Sequence, residues 1–353
     1  MSYDMLKLAV EGLNAKNTIV LDDRGLPSFM VRVPKGTIAD VIDGATQNTH
    51  PAFIVDGVEK DEILISKYQN IVKDDRAYSL PLMDPRVSLT FDQAMRYCEN
   101  KGQGWHLMTN AERAYLALWS KKNETMPRGN NNYGSDHSAP HEKGIATHMS
   151  DATRIGRVAT GSGPASWAHD GTTAGIYDLN GNVTEWIGGL RLMDGEIQII
   201  PYNNAALHVN QDANSTLWKA ILPDGSLVEP GTAGTLKYDY LNSPPTLGGK
   251  IVLTDTLTNQ QTEESPYAYQ TFETLNIKEG LSAAELLKAL ALFPQDNSDH
   301  GGDYIYMKNM GERLPCFGGN WSDGSRAGVF YLYLAYFRSH SSGRRGFRSA
   351  YVL

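Results

Sequence analysis

Tyrosines, arginines and a histidine crowd the final stretch of the chain, Leu314 to Leu353, at a density that no hydrophobic core requires. Tyr331, Tyr333, Tyr336, Phe337, Arg326, Arg344, Arg345 and His340 are residue types that dominate binding hot spots, being large, rigid, amphipathic or forked. Their chemistry is recognition rather than bond making. Between Val329 and Ala335 the pattern alternates strictly. A strand of period two therefore places Phe330, Leu332 and Leu334 on one face and Tyr331, Tyr333 and Ala335 on the other. The first face packs and the second is free to touch a partner. The alternative is that Tyr331 and Tyr333 lie beneath inserted loops as a second core layer.

Residues able to make or break bonds are sparse. Only Cys98 and Cys316 are present, far apart in sequence, so neither a disulfide framework nor a multi-cysteine zinc site can be assembled, and both read as reduced core thiols. His137, His141, His148 and His169 lack metal-ligand spacing, and no cysteine or paired carboxylate joins them. Ser339 and His340 supply two members of a hydrolytic triad on paper, but no Gly-x-Ser-x-Gly elbow accompanies them.

The elements that must position these residues are those of a soluble globular chain. Its 353 residues, 41% hydrophobic and 20% charged, suffice for a large core. A net charge of −8 opposes sequence-independent nucleic-acid binding. No segment has the length and apolarity of a membrane span. The N-terminus lacks the charged region and apolar run of a secretion signal, so synthesis in the cytoplasm without a signal peptide is expected.

Tyr3 to Leu13 reads as a helix, followed by a hairpin of Thr18 to Asp22 and Ser28 to Val33 about the turn Asp23-Arg24-Gly25-Leu26-Pro27. The polar run Thr37 to Pro51 separates this N-terminal arm, residues 1–50, from a domain spanning 52–353. Two helices are marked by capping boxes. One pairs Thr90 with Gln93 and carries Phe91, Ala94, Met95 and Cys98 inward, and the other pairs Thr109 with Glu112 ahead of Ala111, Tyr115, Leu118 and Trp119. Pro127 to Gly175 reads as a long irregular loop. Residues 190–297 form an insertion with strands at Gln198 to Tyr202, Leu217 to Leu222 and Lys250 to Thr254, and one amphipathic helix, Ser282 to Phe293.

Several motifs fall in one order: Ser66-Lys67-Tyr68, Gly104-Trp105-His106-Leu107, the run GIYDLNGNVTEW from Gly175 to Trp186, Phe317-Gly318-Gly319-Asn320-Trp321, and Gly346-Phe347-Arg348. Together they resemble the motifs of the formylglycine-generating-enzyme type of C-type lectin fold. The resemblance covers about residues 52–353 and implies an α+β fold, C-type-lectin-like, with two helices beside an antiparallel sheet, a long loop insertion and a short N-terminal arm.

The segment 314–353 further resembles the variable region of diversity-generating retroelement proteins, many of them phage receptor-binding proteins. In that family a reverse transcriptase randomises adenines, so asparagine codons diverge toward Tyr, Ser, Arg, His, Asp, Ala, Phe or Gly while skeleton codons persist. The resemblance implies ligand contacts at Ser322, Asp323, Arg326, Tyr331, Tyr333, Ala335, Tyr336, Phe337, His340, Ser342, Arg344 and Arg345. These positions, with Gly343, hold only residues of that group. The implied partner is a host cell-surface protein or glycan, met by a tail-associated or surface-displayed adhesin. A homo-oligomer, a trimer included, would add avidity.

The rival reading is a metal-dependent oxidoreductase of the formylglycine-generating type, which needs a copper-binding cysteine pair in the C-terminal segment. Here Ser322, Asp323 and Ser325 follow the Gly-Gly-Asn-Trp motif and Cys316 is single, so no catalytic residues and no required cofactor are expected. A purely structural virion or surface component is a third reading. The fold's Asn-Val-x-Glu turn often holds Ca²⁺, which would place Asn182, Val183 and Glu185 around that ion; the alternative is that they hydrogen-bond the turn.

Overall fold

The computed structural model describes residues 3–353. Four α-helices are formed: α1 (Tyr3–Leu13), α2 (Phe91–Glu99), α3 (Asn110–Lys122) and α4 (Glu285–Ala289). Strands used below are, in chain order, β1 (Asn17–Leu21), β2 (Pro27–Pro34), β3 (Glu62–Ser66), β4 (Trp105–Leu107), β5 (Thr184–Trp186), β6 (Leu190–Met193), β7 (Glu196–Ile199), β8 (Lys237–Tyr240), β9 (Ile251–Thr254), β10 (Ala268–Thr271), β11 (Tyr304–Met307), β12 (Glu312–Phe317), β13 (Leu332–Tyr336), β14 (Arg345–Phe347) and β15 (Ser349–Tyr351).

Local chemistry explains the helix starts. The Thr90 and Thr109 hydroxyls accept from the amides of Gln93 and Glu112, whose side chains reach back to the threonine amides, closing both capping boxes. The α3 helix buries most of its surface, as a central core helix must. The expected helix over Ser282 to Phe293 shortens to the five residues of α4. Its end has a cause: the buried Arg113 guanidinium takes the carbonyls of Leu290 and Ala291, and Ala291 turns to a positive φ of 46°.

Two sheets carry the chain. The first is ordered β1-β2-β3-β15-β4. Val31 and Ala350 both stand opposite Ile65, so the N-terminal hairpin and the C-terminal strand join one buried row. The second has 13 strands, with the path β10-β11-β13-β12-β6-β7-β8-β9 and with β5 joining β12 to β14. The inserted region therefore lengthens this sheet on both sides of β12 and β13.

Ala268, Ile305, Met307, Leu332 and Leu334 point from β10, β11 and β13 into the main core, while Phe91, Cys98, Trp186, Cys316 and Phe347 build a smaller core beside α2. Between Pro127 and Gly175 the chain forms isolated bridges and a single 3-10 turn, Ala165–Trp167, among the described residues. No helix of the described residues is long and apolar enough to cross a membrane.

Candidate ligand-binding surface

Register decides which side chains meet on the face opposite the core. In the antiparallel pair Tyr269 stands opposite Tyr306, and in the parallel pair Tyr306 stands opposite Tyr333, so three tyrosines align across β10, β11 and β13. Period two then adds Tyr267, Tyr304 and Tyr331 to the same face. The rings touch in a continuous series: Tyr304 to Tyr269 at 6.0 Å, Tyr269 to Tyr306 at 5.6 Å, Tyr306 to Tyr333 at 4.8 Å and Tyr333 to Tyr336 at 4.0 Å between centroids. Cross-strand aromatic pairs of this kind stiffen a sheet by about 0.2–1 kcal/mol each. The result is a wall of tyrosine rings.

Strict alternation from Tyr331 would send Tyr336 to the core side. A β-bulge reverses this. Cys316 pairs with Tyr333 but Leu314 pairs with Tyr336, leaving Leu334 and Ala335 together opposite Pro315, which has no amide to offer the ladder. Tyr336 thereby joins the wall, where it meets Trp186, His340 and the Arg345 guanidinium, the last lying 3.6 Å from its ring centroid.

Asp303 anchors the wall from below. Its carboxyl accepts from the Phe330 amide at 2.8 Å, tying the start of β11 to the approach to β13. Gly328 is required there because a Cβ would collide with that carboxyl group.

The wall is flanked by cations. Arg326 stands over the Tyr269 and Tyr304 rings at 6.0 and 5.4 Å. Arg344 lies over Trp321 and donates to the Ser322 hydroxyl at 3.0 Å. Arg345 donates to the His340 Nδ1. Burial and the Arg345 charge push the His340 imidazole down to about 4, so it is neutral at pH 7 and free to accept that bond. Burial pushes the Asp323 carboxyl up to about 6, against a bond from the Asn320 amide and the positive charge of the nearby Arg344, Arg326 and Arg345.

The residues expected to touch ligand divide by exposure. Arg326, Phe337 and Arg344 are exposed, and Ser322, Asp323, Tyr333, Tyr336, His340 and Ser342 are partly so. Three expectations are corrected. Tyr331 is only 4% exposed, packed against Tyr306 and Tyr333, because its neighbour strand β11 brings a ring where open space was expected. Ala335 is buried by the bulge, and Arg345 is buried between Tyr336 and Trp186.

Four wall residues were missed by sequence: Tyr267 and Tyr269 from the inserted region, and Tyr304 and Tyr306 from the segment leading into the tail. Their signal was the alternation in Tyr267-Ala268-Tyr269-Gln270 and Tyr304-Ile305-Tyr306-Met307.

The residues considered for calcium do not fit that ion. Both Glu185 oxygens accept from the Arg348 guanidinium, at 2.9 and 3.0 Å. The Asn182 amide oxygen accepts from Val158 and Asn130, and the Val183 carbonyl from Gln69. A cation there would face a guanidinium. Among the described residues no cluster of three His, Cys, Asp or Glu side chains could hold a metal. Cys98 and Cys316 are both buried and unpaired, and burial pushes the Cys316 thiol up to about 12 and Cys98 up as well.

Residues 44–192 match the FGE-sulfatase family, described as the sulfatase-modifying factor enzyme 1-like domain, and the α+β architecture is of that C-type-lectin-like type. Among solved structures, PvdO from Pseudomonas aeruginosa aligns at 15% identity with a TM-score of 0.37, covering 95% of this chain and 98% of its own. Treponema denticola variable protein 1 aligns at 11% identity and 0.34, with the same coverage of 95% and 98%. The Major Tropism Determinant P3c variant aligns at 10% identity and 0.28, covering 95% of this chain and 71% of its own. No curated protein sequence matches the chain.

Proposed function

We propose that this chain, built on a domain of the formylglycine-generating type, is a receptor-binding protein of the diversity-generating retroelement kind. It would recognise a host cell-surface molecule through a diversified face, displayed on a virion tail or a cell surface. The observation that carries this reading is the tyrosine wall, continuous from Tyr304 to Tyr336 and flanked by arginines, on the side of the sheet away from the main core.

Physical chemistry supports that use. Rings that already stack on one another lose little conformational freedom when a partner arrives. Leu332 and Leu334 hold β13 from the opposite face, so exchanges at Tyr333, Tyr336, His340 or Arg344 alter the contact surface and leave the main core intact. Oxidation is the weaker reading, because both thiols are buried and the segment after Gly318-Gly319-Asn320-Trp321 holds Ser322, Asp323 and Ser325 and no cysteine.

Sequencing this locus across a cell population tests the proposal. Variation concentrated in the codons of Tyr333, Tyr336, His340 and Arg344, with those of Tyr306, Trp321 and Phe347 constant, is expected. A near-copy of the 314–353 coding segment, with adenines at the varying codons, should lie beside a reverse-transcriptase gene. A tail no more variable than β3, and no such copy, would overturn it.

A further inference from the structure

The wall offers a partner little flat ring surface. Tyr336 has the Tyr333 ring 4.0 Å away and nearly parallel at 15°, and the Arg345 guanidinium 3.6 Å from its centroid. Two groups that close to one centroid must occupy opposite faces of the ring. Tyr333 stacks in turn on Tyr306, and Arg326 stands over Tyr269 and Tyr304.

A sugar held by aromatic residues lays polarised C–H groups on the electron-rich face of a ring. Those faces are largely taken. What remains is the partly exposed edges of Tyr267, Tyr269, Tyr304, Tyr333 and Tyr336, Tyr306 and Tyr331 being buried; phenol groups at such edges can donate and accept, which suits the irregular mixture of carbonyls, amides and carboxylates on a protein.

The charge pattern is selective. Other cations near the wall are neutralised: Arg338 pairs with Glu312 and Asp92, and Lys308 and Arg313 share Glu264. Arg326 and Arg344, both exposed, flank the wall with no ion pair among the described residues, and Arg345 is buried behind Tyr336. Arg326 stands at the Tyr304 end and Arg345 at the Tyr336 end. In a chain of net charge −8, the exposed Arg326 and Arg344, with the single half-buried Asp323 carboxyl near them, form a local attraction for anions.

We infer that the partner is a protein that presents a carboxylate-bearing segment to the phenol edges, its acidic groups reaching the exposed Arg326 and Arg344. This inference rests on the recognition reading above and narrows it from protein or glycan to protein.

The test titrates the full chain with poly-L-glutamate and, separately, with lactose and sialyllactose, by calorimetry. Saturable poly-L-glutamate binding that weakens with added salt is expected, lowered about tenfold or more by Arg326→Ala with Tyr269→Ala. No saturable signal is expected from either sugar, and the double variant should keep a cooperative melt somewhat below that of the parent, since Tyr269 leaves its contacts with Tyr267, Tyr304 and Tyr306. Sugar binding abolished by the same double variant would overturn the protein assignment while leaving the wall as a binding surface. A parent chain that ignores poly-L-glutamate, or binds it equally after Arg326→Ala, Tyr269→Ala and Tyr333→Ser together, would overturn the inference at the site itself. Codon variation in the tail tests the underlying recognition reading independently.

Discussion

Two polar regions of this molecule are built on opposite rules. Around Arg348 every arm of a buried guanidinium is engaged, by both Glu185 oxygens and by the carbonyls of Ser66 and Tyr177, with Gln69 and Asn182 completing the network. At the tyrosine wall, the exposed Arg326 and Arg344 make no ion pair among the described residues, while the buried Arg345 is held against Tyr336, Trp186 and His340. A buried charge must be compensated inside the protein, whereas a surface charge can wait for a partner. The first region ties the turn from Gly175 to Trp186 to β3 and to the C-terminal segment, and the second is left over for binding.

The largest predicted effect tests the first half of that contrast. Arg348→Ala strands Glu185 in the interior and should cost about 3–5 kcal/mol, read as a large fall in the urea midpoint. A loss below about 1 kcal/mol would mean that the network is dispensable, and the contrast would collapse.

Next, Tyr331→Ala removes a buried ring and should cost about 3 kcal/mol, while Tyr304→Ala at the partly exposed end should cost less than about 1 kcal/mol. Thermal melts of the two variants check this. Equal losses would make the whole wall a core layer.

His340 sharpens the comparison through pH. Its folded value of about 4 lies below the ordinary 6.5, so its contribution is fully present above pH 6.5 and is lost as pH falls through 4. For a partly exposed ring the loss should be on the order of 1 kcal/mol after solvent screening. Arg345, Tyr336 and Phe337 face this imidazole, and Arg345 alone among them is charged. His340→Gln should shrink the difference in melting temperature between pH 7 and pH 4; an unchanged difference would place the acid sensitivity elsewhere.

The smallest effect is Arg326→Ala, expected to change stability by no more than about 0.5 kcal/mol.

Much of the scaffold was legible in sequence because its signals are local. The Thr90-Gln93 and Thr109-Glu112 capping boxes lie within single turns, and the alternation of Phe330, Leu332 and Leu334 needs no knowledge of neighbours. The wall was only half legible, because its composition is set by register between distant strands. Nothing in the tail announces that Tyr306 will stand beside Tyr333, and that pairing converts Tyr331 from a surface residue into a buried one.

The bulge opposite Pro315 is equally remote, yet it alone brings Tyr336 onto the wall. The Asn182 and Glu185 spacing suited calcium until Arg348, far along the chain, was placed against the carboxylate. A helix read over Ser282 to Phe293 ended early for a similar reason, since Arg113 claims its last carbonyls.

Tyrosine nitration of the native full chain, mapped by mass spectrometry, tests most directly whether the wall faces solvent. Tyr269, Tyr304 and Tyr333 should be modified several-fold faster than Tyr238 and Tyr240, which are 0% and 1% exposed. Equal protection of all five would contradict a free binding face.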